Sequence, residues 1–161
     1  DNHAPGTAGD NVAVFGGDVV VSGSLFAKEK HIATHKGTPG DNAQRYLRFN
    51  AAGSDTGPGV NNKFLAPYGG RLLRVTIRAT AAAGSTAIAF HKSTNGTANL
   101  NTSETEEVTV NVASANTAYT VTFTGTSVYD AGNILGISYN PSSDPGSFDI
   151  TSVWEFETYL Y

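Results

Sequence analysis

Cysteine and methionine are both absent from this chain of 161 residues. Without cysteine, neither a disulfide nor a cysteine-based metal site can hold the fold together. Because the sequence begins at Asp1 and lacks methionine, we expect that processing removed the start or that the chain is a segment of a longer polypeptide. No run of about 18 apolar residues occurs, so the sequence predicts no membrane-spanning helix, and no signal peptide is visible.

Charge is also scarce, since charged residues make up 15% of the sequence and the formal net charge is -4. No basic stripe exists that could neutralise phosphates, so we expect no nucleic-acid partner. Low charge with abundant Thr, Ser, Ala and Asn is typical of all-β extracellular or virion proteins. The apolar content of 39% does not indicate disorder.

The chain divides into four predicted zones. These are a flexible tail (1–10), a β-rich oligomerisation stem (11–30), a loop-rich connector (31–62) and a β-sandwich (63–161). The stem contains two β-forming runs that are apolar on both faces. A lone strand pair is marginally stable in water, so we expect other copies of the same chain to cover it.

The predicted oligomer interface therefore includes the apolar residues of the stem. An apolar chain terminus also usually packs into a core or an interface, which adds the last three residues. The interface prediction comprises Val12, Val14, Phe15, Val19, Val20, Val21, Leu25, Phe26, Tyr159, Leu160 and Tyr161.

Residues 63–161 show the alternation of half-buried strands. Leu73, Val75, Ile77 and Ala79 alternate with arginines and threonines, and residues 108–112 and 119–123 follow the same period of two. Residues 134–139 are more uniformly apolar, as expected of a central strand. No segment has a helical period over twelve residues. Seven or eight strands with long loops at 93–107 and 140–147 predict an all-β, jelly-roll-like β-sandwich.

His31 and His35 have the spacing of a metal pair on a helix. The flanking Thr, Gly and Pro residues argue against a helix, so we predict two exposed loop histidines. Only a metal shared across subunits would remain as a functional role. The aspartates at 41, 55, 130, 144 and 149 match no calcium loop, and turn formation is the favoured role for them.

No catalytic constellation stands out. Glu104, Glu106 and Glu107 lie on a polar loop that enters a strand, and nothing indicates the cleft that a glycosidase needs. The G-x-S-x-G motif is absent. The sequence therefore predicts a protein that is not an enzyme and that has no cofactor and no metal site.

Aromatic residues and two loops are the remaining candidates for binding. Tyr46, Tyr68, Tyr139, Tyr159 and Tyr161 could form a sugar-stacking surface with Trp154. Trp154 and Phe156 share the face of Ser152 on an alternating strand, so burial in the core is the favoured prediction. The candidate receptor or glycan residues of the loops are Asn95, Asn99, Asn101, Asn140 and Asp144.

Several motifs together resemble a known family. VAVFGGDVVVSGSLF resembles a segment that recurs in virion structural proteins of tailed bacteriophages. The stretches GRLLRVTIRAT, STAIAFHKSTNG, AGNILGISYNP and SVWEFET resemble the C-terminal domain that follows it, so the resemblance covers residues 11–158. It implies a homotrimeric fibre, spike or head-decoration protein of the virion, with a β-rich stem and a jelly-roll head.

The resemblance also implies the partners. These are further copies of the chain, other virion proteins such as major capsid or tail proteins, and a host-surface glycan, without membrane insertion. An alternative is a carbohydrate-binding module of a larger extracellular or virion protein, which would need exposed aromatic side chains. A third class, an esterase or glycanase domain, lacks any supporting residue constellation.

Overall fold

Strands are the only regular elements in residues 25–94 and 96–160, the part of the chain that a computed structural model describes. For residues 25–27 and 158–160 the backbone alone is described. The strands are β1 (Leu25–Gly37), β2 (Arg45–Leu47), β3 (Ser54–Asp55), β4 (Phe64–Leu65), β5 (Gly70–Ala79), β6 (Gly84–Ser93), β7 (Glu106–Val112), β8 (Ala118–Thr122), β9 (Val128–Tyr129), β10 (Ile134–Pro141) and β11 (Phe148–Leu160). Over these ranges no helix has the length and apolar character needed to cross a bilayer.

The strands form two antiparallel sheets that pack as a β-sandwich, which confirms the all-β prediction. Sheet A has the order β1-β11-β5-β8, with β9 also paired to β5. Sheet B has the order β3-β2-β10-β6-β7, with β4 also paired to β10. The predicted central position of residues 134–139 is confirmed, because β10 lies between β2 and β6 and is buried along most of its length.

Eight of the strands pair in a nested order. If the two-residue strands β3, β4 and β9 are set aside, the first strand pairs with the last, β1 with β11. The second pairs with the seventh (β2 with β10), the third with the sixth (β5 with β8) and the fourth with the fifth (β6 with β7). Most pairings therefore join segments that are distant in sequence.

The sandwich has two distinct ends. We call the end with the 80–83 connection, between β5 and β6, the turn end; it also carries the 113–117 and 142–147 loops. At the opposite end, β11 pairs with β5 only as far as Phe156, whereas its pairing with β1 continues to Leu160. Residues 25–28 and 157–160 thus extend as a two-stranded ribbon, and we call this the ribbon end.

Trp154 lies at the centre of the core. Its ring is 2% exposed and contacts the rings of Phe49, Phe64, Phe90 and Tyr129, with ring centroids 5.0 to 6.0 Å apart. Aromatic pairs at such distances add to the stability gained from burial. The predicted burial of Trp154 and of its neighbour on the strand, Phe156, is confirmed.

One residue of β5 departs from the predicted alternation. Val75, Ile77 and Ala79 are buried as predicted, but the prediction is wrong for Leu73, which is only half-buried. The register shifts at this point, because Arg74 pairs with Val153 while Leu72 pairs with Trp154. Leu73 is therefore the extra residue of a β-bulge, and Leu72 takes the core position instead.

β1 passes through residue 30, the predicted boundary between stem and connector. It pairs with β11 along its whole length, from Leu25–Leu160 to Gly37–Phe148. The strand is thus a full member of sheet A. Residues 1–24, with most of the predicted stem, lie outside the described residues, and the division into four zones stays a prediction.

Candidate functional site

The two candidate loops lie at opposite ends of the sandwich. Asn99 and Asn101 belong to the connection that follows β6 at the ribbon end. Asn140, near the end of β10, and Asp144 lie at the turn end. A ten-residue strand such as β6 separates these ends by roughly 30 Å. The candidates therefore cannot form one site, and Asn95 lies outside the described residues.

The loop at the ribbon end forms a polar cleft of about 620 Å³. Thr94, Thr97, Asn99 and Asn101 are among its lining residues. The loop is anchored by Leu100, which is 4% exposed. Its side chain packs directly on Gly136, where any residue with a Cβ would overlap it. The cleft offers amide and hydroxyl groups, the chemistry that binds the hydroxyls of a saccharide.

A buried histidine fixes the same loop to sheet B. His91 Nδ1 lies 3.1 Å from the backbone oxygen of Asn101, so this nitrogen carries the proton and donates. In the neutral ring Nε2 then accepts from Ser138 Oγ at 2.8 Å. Burial lowers the pKa of His91, although nearby Glu104 and backbone oxygens act in the opposite direction.

A second histidine repeats this arrangement in sheet A. His35 Nδ1 donates to the backbone oxygen of Arg48 at 2.8 Å, and Nε2 accepts from Ser152 Oγ at 3.1 Å. Ser152 Oγ in turn accepts from Trp154 Nε1 at 2.8 Å. Burial lowers the pKa of His35 to about 4, against the raising effect of the Arg48 bond.

The prediction of two exposed loop histidines is thus wrong for His35, which lies on β1 and is fully buried. His31 is exposed but also lies on β1, beside the ring of Phe156. The His35–Ser152 and His91–Ser138 pairs resemble nucleophile–base pairs in composition only. All four side chains are at most 1% exposed, so a substrate cannot reach them, and they serve to tie loops to strands.

Glu106 is the one member of the predicted carboxylate group that the structure places in a dense hydrogen-bond site. Its carboxylate accepts from the backbone nitrogens of Thr124, Gly125 and Ser127 at 3.1, 3.1 and 2.7 Å. Burial raises its pKa, but these backbone bonds outweigh burial and the pKa is lowered overall. Glu106 therefore joins the start of β7 to the 123–127 loop and holds no proton to donate.

The aspartates have mostly the predicted turn role. Asp41 accepts from the nitrogen of Ala43 at 3.1 Å, and Asp144 accepts from that of Gly146 at 2.8 Å. The turn role is wrong for Asp55, which forms a two-point ion pair with Arg48, and for Asp149, which lies within β11. Over residues 25–94 and 96–160, no three His, Cys, Asp or Glu side chains lie close enough together to hold a metal ion.

A small aromatic cleft of about 260 Å³ lies between β1 and β11 on one side and residues 49–50 and the start of β4 on the other. Its aromatic and polar lining comprises His31, Phe49, Asn50, Phe64, Trp154 and Phe156. Sequence reasoning missed Phe49 and Phe64, because they lie in or beside very short strands that show no alternation.

The tyrosine surface suggested by the sequence is wrong for two of its members. Tyr46 and Tyr139 are buried in the core, whereas Tyr68 is 45% exposed. Of the predicted interface residues, Leu25 and Phe26 pair by their backbones with Leu160 and Tyr159 in the ribbon. Positions 12, 14, 15, 19, 20, 21 and 161 lie outside the described residues.

The chain matches no protein-family model. It also matches no curated protein. The function must therefore be inferred from the geometry of the described residues together with the sequence motifs.

Proposed function

We propose that the chain is a non-enzymatic structural protein of a bacteriophage virion, a homotrimeric fibre or capsid-decoration element attached to head or tail proteins. The ribbon carries this proposal. Leu25 and Leu160 pair beyond the limit of the sandwich, and the stem segment 11–24 leads directly into β1 at this point. The sandwich is then a head that a stem carries at its ribbon end.

The strand order supports a jelly-roll head. When a long antiparallel hairpin of eight strands rolls up into two facing sheets, the first strand pairs with the last, the second with the seventh and so on inward. Jelly rolls are double-sheet folds of eight strands that occur in viral capsid proteins and lectins. The fold alone fits both the structural role and glycan binding.

The free edge of sheet A supports assembly with other copies. β1 is an edge strand. The backbone nitrogens of Asn50 and Gly53 donate to the oxygens of Thr34 and Lys36, whereas residues 25–33 have no further strand beside them among the described residues. Proteins seldom leave so long an edge uncovered, because it attracts other strands. In a trimer, neighbouring copies would cover this edge and the apolar stem.

The first prediction concerns Val20, in the apolar stem. We expect the full chain to be a trimer and Val20→Asp to be a monomer, because a carboxylate cannot be buried cheaply in an apolar interface. Light scattering measures the mass, and unchanged Trp154 fluorescence would show that the head remains folded. Ser22→Asp, which adds the same charge at a polar position, is the control and should stay trimeric. A trimeric Val20→Asp variant or a monomeric parent protein would contradict the proposal.

The orientation of the head decides which loops could contact a host surface. With the stem at the ribbon end, the turn end points outward and carries Asn140 and Asp144. In this orientation the polar cleft at Asn99 and Asn101 would face the stem side of the head instead. Adhesion by the tip would therefore use the 142–147 loop and its neighbours at the turn end.

The aromatic cleft favours a second candidate function, a carbohydrate-binding module. The half-buried rings of Phe49 and Phe64 supply apolar surface above the buried Trp154, and Asn50 supplies an amide at the rim. A neutral oligosaccharide that enters this cleft is expected to change the fluorescence of Trp154, the single tryptophan of the chain. Unchanged fluorescence over a panel of glycans, up to millimolar concentration, would exclude this function for the cleft.

A further inference from the structure

The outer face of sheet A concentrates the positive charge of the chain. Six of the ten lysines and arginines lie on it, in two rows on β1 and β5 that flank a row of carboxylates on β11. The basic residues are Lys28, Lys30, Lys36, Arg71, Arg74 and Arg78, and the acidic residues are Asp149, Glu155 and Glu157. This face therefore has a formal charge of +3 on a chain of net charge -4.

The carboxylates of this face are already paired. Glu155 lies 3.3 Å from Lys28 Nζ and 3.1 Å from Arg71 Nε, and Glu157 also lies near Lys28. Asp149 lies 3.8 Å from Lys36 Nζ. In the part of the chain that the structure describes, Lys30, Arg74 and Arg78 have no carboxylate within ion-pair distance.

Two of these cations, with Arg71, line a shallow cleft of about 400 Å³ in the same face. Leu73 and Val153 contribute apolar surface, and hydroxyl groups come from Thr122 and Thr124. No carboxylate is among the lining residues. The cleft runs across β1, β11, β5 and β8, a distance of roughly 14 Å for three strand spacings.

Local structure holds two of the cations in place. The bulge at Leu73 adds a residue to β5 next to Arg74, on the part of the strand that lines the cleft. The Glu155 side chain, only 10% exposed, accepts from Arg71 Nε and fixes that guanidinium. Among the described residues, the terminal nitrogens of Arg71 have no hydrogen-bond partner, and a fixed guanidinium fork suits carboxylate, sulfate and phosphate groups.

We propose that this cleft binds an anionic saccharide, a sugar unit that bears a carboxylate or a sulfate. Arg71, Arg74 and Lys30 would bind the anionic group, the threonine hydroxyls would bond to sugar hydroxyls, and Leu73 with Val153 would contact the C–H face of the ring. Duplex nucleic acid fits less well, because an overall acidic chain with so few free cations offers few phosphate contacts. This inference does not depend on the trimer.

The test measures affinity of the full chain, at physiological salt, for polygalacturonate, dextran sulfate and neutral dextran. We expect binding to at least one of the two polyanions and none to dextran, and the two anionic arms distinguish carboxylate from sulfate recognition. Arg74→Ala and Lys30→Ala should each weaken binding about tenfold, since a lost charged hydrogen bond costs roughly that factor.

Arg78→Ala is the matched control, because Arg78 is exposed on the same strand and face but does not line the cleft. It should weaken binding less than about twofold, the effect of a distant, screened charge. If Arg74→Ala and Arg78→Ala reduced the affinity equally, the proposed site would be wrong, and the polyanion would be attracted by the overall positive charge of the face. Binding to dextran as well, binding to anionic vesicles alone, or no binding to either polyanion would also overturn it.

Discussion

Acidification from about pH 7.5 to pH 4.5 is expected to lower the free energy of unfolding by about 2 to 3 kcal/mol through His35 alone. The reason is that burial lowers the pKa of this histidine from 6.5 to about 4 in the folded state. The unfolded chain binds a proton as the pH falls through 6.5, whereas the folded chain stays neutral until about pH 4. The stability that the neutral His35 contributes is therefore present above about pH 6.5, and it is lost as the pH falls from 6.5 to about 4. His91, whose pKa burial also lowers, adds to the loss.

The acidic groups contribute in a different pH range. The pKa of Asp55 is lowered by its bond from Arg48, and that of Glu106 is lowered overall by backbone bonds despite burial. The stability that such carboxylates contribute is present above their ordinary pKa and is lost as the pH falls through the lower folded value, below about pH 4. The range from about pH 6.5 to pH 4.5 thus reports mainly on the two buried histidines.

Urea unfolding followed by Trp154 fluorescence at several pH values measures how steeply the free energy of unfolding changes with pH, which we call the pH slope. His35→Gln should be less stable at neutral pH, because it loses packing and the Ser152 bond, but its stability should depend less on pH in this range. His31→Gln removes an exposed histidine of the same strand and should keep the parental slope. A His35→Gln variant with the full parental slope would contradict the assignment.

The same titration has a consequence for the candidate site. His91 Nδ1 holds the backbone of Asn101, and His35 Nδ1 holds that of Arg48. A protonated ring can no longer accept at Nε2, so Ser138 and Ser152 must reverse their roles and accept from Nε2–H, and each imidazolium charge lies in a buried site. Opening of the covering backbone would give these charges access to water, so we expect the 94–105 loop and the segment after β2 to loosen first as the pH falls.

Gly70→Ala is expected to destabilise the protein by about 3 kcal/mol, the range of overpacking in a region that cannot yield. A Cβ at this position would overlap the backbone oxygen of Glu155 on the neighbouring strand and would lie 2.9 Å from Tyr129 Oη. The Tyr129 hydroxyl donates to that same oxygen at 3.0 Å. Relief of the overlap must therefore move the backbone of β11 or break this buried hydrogen bond.

The preceding residue provides a matched control. A Cβ on Gly69 would lie 3.5 Å from the backbone oxygen of Tyr129, an ordinary van der Waals distance. Gly69→Ala should therefore change the free energy of unfolding by less than about 0.5 kcal/mol, as at a site without strain. Midpoints of urea unfolding for the two variants measure the difference, and equal midpoints would contradict the close approach of β5 and β11 at Gly70.

The sequence by itself determined the fold class and the main strands after residue 63, whereas it placed residues 31–37 of β1 in a loop. Val75, Ile77 and Val121 are buried where the period of two predicts them, and the uniformly apolar run at 134–139 lies in the middle of sheet B. Trp154 is buried as its strand pattern predicts. Alternation is a local property of the chain, because side chains of successive strand residues point to opposite faces whichever strand lies beside them.

Only the tertiary structure decided which polar residues lie together. Ser152 is 117 positions from His35, and no local pattern marks the two as partners. The bulge at Leu73, which helps form the basic cleft, depends on how β5 pairs with β11. Likewise, the placing of Asn99 and Asn140 at opposite ends follows from the nested pairing. Such relations arise because antiparallel pairing between distant segments sets the register, and the register brings together side chains that the sequence keeps apart.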